Sequence, residues 1–207
     1  MNKTIIYYSS NAEDPVFEQK IIDNIKKQAG NIPIISVTQK PMKLGKNICI
    51  GEKPLCYSNA FKQLLIGLKE ARTEFCVATE SVVLYPPEYF TFTPELKDKP
   101  YRYTNVWVHF DGRDKFWKKS WSEGAQMCGR EHWIKSIERI LVNPDRWEPE
   151  PFKFIFTEKD EYSWTGNPVV TFKTRHGVNF KTGYDQHNHV TELPYWGTAL
   201  EIKEKYL

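Results

Sequence analysis

The chain has 207 residues, of which 40% are apolar and 27% charged, so it can bury a core and is not a disordered or low-complexity segment. Its net charge of +3 permits a polyanionic partner without demanding one. No window approaches the roughly 18 apolar residues of a membrane span and no signal-type stretch opens the chain, so the cytoplasm is the expected location.

The first predicted element is a buried strand over residues 4–8, Thr-Ile-Ile-Tyr-Tyr, which ends in the polar loop Ser9, Ser10, Asn11. Asp14 caps a helix with Pro15 at its first position, and Phe17, Ile21, Ile25 and Ala29 form its apolar stripe up to Gly30. A second strand over 32–37 leads to Gln39 and Lys40, and this strand–helix–strand opening predicts a βαβ unit with a parallel sheet. Residues 43–57 read as a loop holding Asn47. Ser58 is the expected cap of a second helix, on which Asn59 and Gln63 lie one turn apart and face the same way. A third buried strand over 74–78 runs into Thr79, Glu80 and Ser81. Open α/β sheets bind ligands at the carboxyl ends of their strands. Three strands deliver polar residues there, and Glu80 is the foremost candidate. The four cysteines, Cys49, Cys56, Cys76 and Cys128, form no Cys-x-x-Cys pair and read as buried free thiols.

Further on, residues 105–110 alternate like a strand, 122–141 contain a helix with Trp133, Ile134, Ile137, Ile140 and Leu141 as its apolar positions, and Pro144, Pro149 and Pro151 mark a loop. Residues 169–173 read as a strand and 176–197 as an ordered loop. Within that loop Asp185, His187 and His189 alternate, so on extended chain they share a face and form a candidate metal-ligand set. Residues 113–121 interleave basic residues (Arg113, Lys115, Lys118, Lys119) with rings (Trp117, Trp121), the combination that grips phosphates and stacks bases.

The run from Ala71 to Phe90, A-R-T-E-F-C-V-A-T-E-S-V-V-L-Y-P-P-E-Y-F, resembles the central strand region of small GT-A-type glycosyltransferases, many of them viral or phage-borne. G-K-N-I-C-I-G at 45–51 and R-H-G-V-N-F at 175–180 fit the same group, in order along most of the chain. The resemblance implies a Rossmann-like α/β donor half over residues 1–98, with a mainly parallel mixed sheet. A smaller α+β acceptor half over 99–207 completes one compact domain. It implies a nucleotide-sugar donor, UDP-sugar foremost, held by Ser9, Ser10, Asn11, Gln39, Lys40, Asn47, Asn59, Gln63, Glu80 and Ser81. It also implies a divalent metal, Mn²⁺ or Mg²⁺, that bridges the donor phosphates, with Glu80 and a late histidine, His176 ahead of His187 or His189, as ligands and Asn179 orienting the histidine. The family's acidic cluster carries two or three carboxylates around residues 80–82, whereas this chain has Glu80, Ser81 and Val82. Lys40, Arg130 or Arg175 would then be the alternative counter-charge to the diphosphate.

With a viral type of enzyme in the host cytoplasm, the basic and aromatic segment makes DNA an acceptor candidate, through the hydroxyl of a 5-hydroxymethylated base that leaves the stack. Glu123 and Asp111 are the candidate general bases, unless the donor assists a retaining mechanism. Two other readings stay open at this point: a non-catalytic nucleotide-sugar binding protein, motivated by Val82, and a nucleotidyltransferase. A Gly-rich, Lys-containing phosphate loop after the first strand, which would favour the latter, is not present in the sequence.

Overall fold

The computed structural model describes residues 2–120, 122–142, 162–177 and 184–207. Strand β1 (Lys3–Ser9) is buried along its whole length. Its side chains alternate between two cores. Ile5 and Tyr7 pack with Phe17, Ile21 and Ile25 of helix α1 (Pro15–Ala29), and Ile6 and Tyr8 pack with Phe61, Leu64 and Leu68 of helix α2 (Tyr57–Glu70). A strand apolar on both faces belongs at the centre of a sheet covered on both sides. Gly67 lies in the middle of α2 because a Cβ there would stand 2.4 Å from Ile6 Cγ2; the helix rests directly on β1.

Around β1 the sheet is parallel, with β2 (Ile34–Thr38) on one side and β4 (Phe75–Glu80) on the other, and β3 (Lys46–Cys49) beyond β2. One antiparallel strand, β9 (Gln126–Gly129), follows β4, and β6 (Pro100–Tyr103) and β10 (Tyr162–Trp164) complete the seven-stranded order β10-β6-β9-β4-β1-β2-β3. The mostly parallel mixed sheet matches the expected class, and strands from beyond residue 98 complete it. Helix α4 (Arg130–Leu141) packs beside α2 through Trp133 and Ile137.

A second sheet branches off at the end of β4. Strand β5 (Val83–Leu84) starts three residues past Glu80 and pairs antiparallel with β11 (Val169–Lys173). The order then runs through β7 (Val106–Phe110) and β8 (Phe116–Lys119) to β12 (His189–Val190). Val82 sits at the junction: it packs against the core, and its carbonyl accepts the Phe172 N–H at 2.7 Å. The short helix α3 (Pro87–Thr91) brings Tyr89 under the end of β4. The hairpin β13 (Glu192–Leu193) and β14 (Gly197–Thr198) feeds helix α5 (Ala199–Tyr206), which is closed by a Thr198–Glu201 capping box.

Asp14 and Pro15 begin α1 as expected, with the Asp14 carboxylate accepting from the N–H groups of Val16 and Phe17. Several expectations need correction. The 43–57 loop contains β3, an edge strand whose partly exposed residues carry no strong apolar signal. Helix α2 starts at Tyr57, so Ser58 lies inside its first turn and its hydroxyl caps nothing. The 176–197 segment contains β12 and β13. Only Cys76 and Cys128 are buried; Cys49 is exposed and Cys56 intermediate, and none of the four is in a disulfide. Pro144, Pro149 and Pro151 lie outside the described residues. Among the described residues no helix is long and apolar enough to cross a membrane.

Candidate functional site

The parallel register brings the tips of β4, β1 and β2 to one level: Tyr8 pairs with Glu80 on one side and Val37 on the other, and Ser9 with Thr38. Asn11 ties the loops beyond them. It adopts a positive φ of 52°, a conformation that asparagine tolerates better than most residues. Its side-chain carbonyl accepts the N–H groups of Gln39 and Lys40 at 3.0 and 2.9 Å, and its own N–H donates to Ser9 Oγ. Its amide also lies 3.4 Å from the buried Glu18 carboxylate, which takes the Tyr7 hydroxyl at 2.6 Å. The first turn beyond β1 is therefore fixed in shape.

Glu80 stands at the centre of the tip. Its Oε1 accepts the Tyr8 hydroxyl at 2.6 Å, and its N–H donates to the Tyr85 hydroxyl. The segment holding Glu123 and Gly124 crosses over it, clamped by the Tyr85 hydroxyl on the Gly124 carbonyl at 2.6 Å. Gly124 is required there, since a Cβ would come 2.7 Å from Glu80 Cδ. Burial pushes the Glu80 carboxyl above the usual carboxylate range. The Tyr8 hydrogen bond opposes the shift, Glu123 adds to it, and Lys173 and Lys119 counter it. Glu123 thus belongs to the same site.

From the second sheet come Lys173, at the end of β11, and Thr174. Burial, with Lys119 adding to it and Glu80, Glu123 and Glu13 working the other way, depresses the Lys173 ammonium to about 8. Thr174 donates to Glu13 at 2.8 Å, while burial raises the Glu13 carboxyl and the nearby His176 draws it down. Beyond the tips of the parallel strands, Lys173 thus stands among the carboxylates Glu80, Glu123 and Glu13, with Lys119 near it and Glu80.

Not every expected residue joins this site. Gln63 is 2% exposed and donates to the carbonyls of Ser9 and Val37, so it braces the strand ends from beneath. Asn47 is committed to Ser36, Thr38 and Met42, and Asn59 to the Pro54 carbonyl. Ser10 is half-buried and the Lys40 side chain exposed, both at the tip, and Ser81 is buried beside Tyr7. Arg130 is at the wrong end: Gly129 pairs with Phe75, the start of β4, about 17 Å of strand from Glu80. It lines a separate cleft with Arg72, Glu74 and Lys97 and pairs with Glu131. Asp111 lies on the exposed turn after β7, 3.8 Å from Arg175.

The expected metal ligands do not converge. His176 stands beside Glu13, whereas His189 is on β12, three strand spacings or roughly 14 Å across the sheet from β11. His187 and Asp185 share a turn next to it. Among the described residues no group of three acidic, histidine or cysteine side chains is placed to hold an ion. Glu80 has one oxygen taken by Tyr8, and its charged neighbours are one further carboxylate, Glu123, and the cations Lys173 and Lys119. Among the described residues, two carboxylates beside two lysines do not make a donor set that fits a resident divalent metal.

The basic and aromatic segment is split by the pleat. Phe116 and Lys118 face one side of β8, with Lys118 over the Trp107 ring and on the Thr104 carbonyl. Trp117 and Lys119 face the other, with Trp117 against Phe110 and Tyr184. Arg113 and Lys115 sit in the connecting turn. Trp121 and Asn179 lie outside the described residues.

The sequence reading missed Tyr8, Glu13 and Lys173. The only available signal was Lys173 ending an apolar strand, as Glu80 does.

No family model and no curated protein matches the chain in sequence. Its fold is shared by solved structures at low identity. A glycosyltransferase involved in the glycosylation of the major capsid of PBCV-1 is 8% identical, with a TM-score of 0.50 over 80% of this chain and 82% of that one. TarS 1-349 of S. aureus in complex with UDP-GlcNAc is 11% identical, with a TM-score of 0.52 over 89% and 62%. The mannosyltransferase PcManGT of Pyrobaculum calidifontis, in complex with GDP-Man and Mn²⁺, is 14% identical, with a TM-score of 0.51 over 86% and 58%. The chain spans less than two thirds of the latter two. The likeness is one of fold, and the fold is that of GT-A glycosyltransferases.

Proposed function

We propose that the chain is a glycosyltransferase that moves a sugar from a nucleotide-sugar, UDP-sugar foremost, to an acceptor hydroxyl. The observation that carries the reading is the meeting of Glu80, Glu123 and Lys173 beyond the tips of β1 and β4, within a fold that the structures with UDP-GlcNAc and GDP-Man also have. The donor lies across the Ser9–Asn11 turn and the Gln39–Lys40 loop, with its diphosphate near Lys173 and its sugar near Glu80. The acceptor oxygen attacks the anomeric carbon, whose bond to the phosphate oxygen breaks with its electron pair passing to the diphosphate. Glu123 takes the acceptor proton. Products are the glycosylated acceptor and the nucleoside diphosphate.

Trp117 and Lys119 are the part of the 113–121 segment that shares a face with this site, and Trp117 forms its acceptor side. A 5-hydroxymethylated base of DNA, stacked on Trp117, is the acceptor in the nucleic-acid form of the reading. Mass spectrometry of hydroxymethylated DNA treated with protein and UDP-sugars tests that form; a gain of one sugar per modified base is expected, and unmodified DNA excludes it. The core reading is tested by calorimetry with a panel of UDP- and GDP-sugars. Saturable binding, weakened about tenfold or more in Glu80→Ala, is expected. No binding of any nucleotide-sugar, with or without Mn²⁺, would end the reading. The non-catalytic alternative is motivated by Val82, which packs on the core where the resemblance calls for a carboxylate; release of free nucleoside diphosphate by purified protein supplied with acceptor would remove it.

A further inference from the structure

We propose that Lys173 and Lys119 together form the cationic seat for the donor diphosphate, in the place of a bound divalent ion. The inference rests on the nucleotide-sugar reading and names the counter-charge of that site.

The two amines share a face of the five-stranded sheet. Lys119 is paired with Val106 of β7 and Lys173 with Phe110 of the same strand, and residues 106, 108 and 110 point one way. Lys119 is 7% exposed. Among the described residues neither side-chain amine has a salt bridge or a hydrogen bond. Both act electrostatically on Glu80, and Lys173 also on Glu123 and Glu13. The Lys173 ammonium is partly desolvated without an ion-pair partner, which is costly, and an anion that visits the site restores the balance.

Val82 accounts for how the lysine arrives. Where the resemblance calls for a further carboxylate, the chain has an apolar residue whose carbonyl holds the Phe172 N–H. That bond draws the end of β11 against the end of β4, so Lys173 stands next to Glu80. The backbone bond seats the positive charge whatever the side chain at 82, and the valine puts an apolar group on the core where a carboxylate would bring a further negative charge. Two ammonium groups carry the charge of one divalent ion, and each offers three donors to phosphate oxygens. They would stabilise the leaving diphosphate as its charge develops.

The test is calorimetry of UDP and GDP with the full chain, in excess EDTA and again in millimolar Mn²⁺. The expected affinities differ by less than about threefold between the two conditions, and Lys173→Met weakens binding by about tenfold or more in both. Lys119→Met weakens it several-fold and Lys173→Arg keeps most of it, with circular dichroism confirming that each variant is folded. Binding that strengthens more than about tenfold with Mn²⁺, or a folded Lys119→Met, Lys173→Met double variant with unchanged affinity, overturns the inference while leaving the nucleotide-sugar reading intact. Failure of UDP, GDP and their sugars to bind in either condition overturns both.

Discussion

In a Lys173→Met protein the aliphatic stem is kept and the ammonium is lost, so the apo-protein at pH 7 is expected to become more stable while its diphosphate affinity falls. Burial lowers the Lys173 amine from the usual 10.5 to about 8. A depressed folded value means that the stability contribution is complete above 10.5 and lost as pH falls through 8; below that, the fold carries a desolvated charge. The gap between the two values corresponds to roughly 3 kcal/mol at pH 7. The residue is partly exposed, and discounting for solvent leaves about 1–2 kcal/mol. For a domain of this size that is a rise in Tm of about 3–6 °C. Thermal melts of both proteins at pH 7, 8, 9 and 10 read the effect, and the gain should shrink as pH climbs between the two values. A variant that melts below the parent at pH 7, or a gain that does not change with pH, would refute the picture of Lys173 as a charge held without an ion-pair partner.

Gly124→Ala places a methyl against the Glu80 carboxyl, a contact that costs about 1 kcal/mol because the carboxyl is the end of a flexible chain; nucleotide-sugar affinity should fall several-fold by calorimetry with little loss of Tm. Gln63→Leu removes two buried hydrogen bonds to the ends of β1 and β2, and chemical denaturation should show a loss of about 2–3 kcal/mol. In Glu123→Gln, turnover should drop about a hundredfold or more while donor affinity stays within about threefold, as measured by steady-state kinetics and calorimetry.

The first half of the fold was legible because its signals are local. The β1 run is apolar on both faces, Asp14-Pro15 is a helix start, and Glu80 follows a strand. Strand β3 was not, because an edge strand with half-exposed residues differs little from a loop. That the polar ends of three strands meet was legible, since parallel order puts strand ends together. The amides there were misread: Gln63 and Asn47 are polar because they satisfy backbone and hydroxyl groups under the site, not because they face a ligand. Lys173 and Glu13 were invisible as partners because 160 sequence positions separate them, and only the β5–β11 pairing brings them together. The basic run at 113–121 looked like one surface, yet alternation along β8 sends Lys118 and Lys119 to opposite faces.

A crystal structure with UDP bound tests the central claim most directly. The account predicts the diphosphate beyond the tips of β1 and β4, within hydrogen-bonding distance of the Lys173 ammonium. A nucleotide seated instead in the cleft of Arg72, Lys97 and Arg130, at the opposite end of β4, would contradict it.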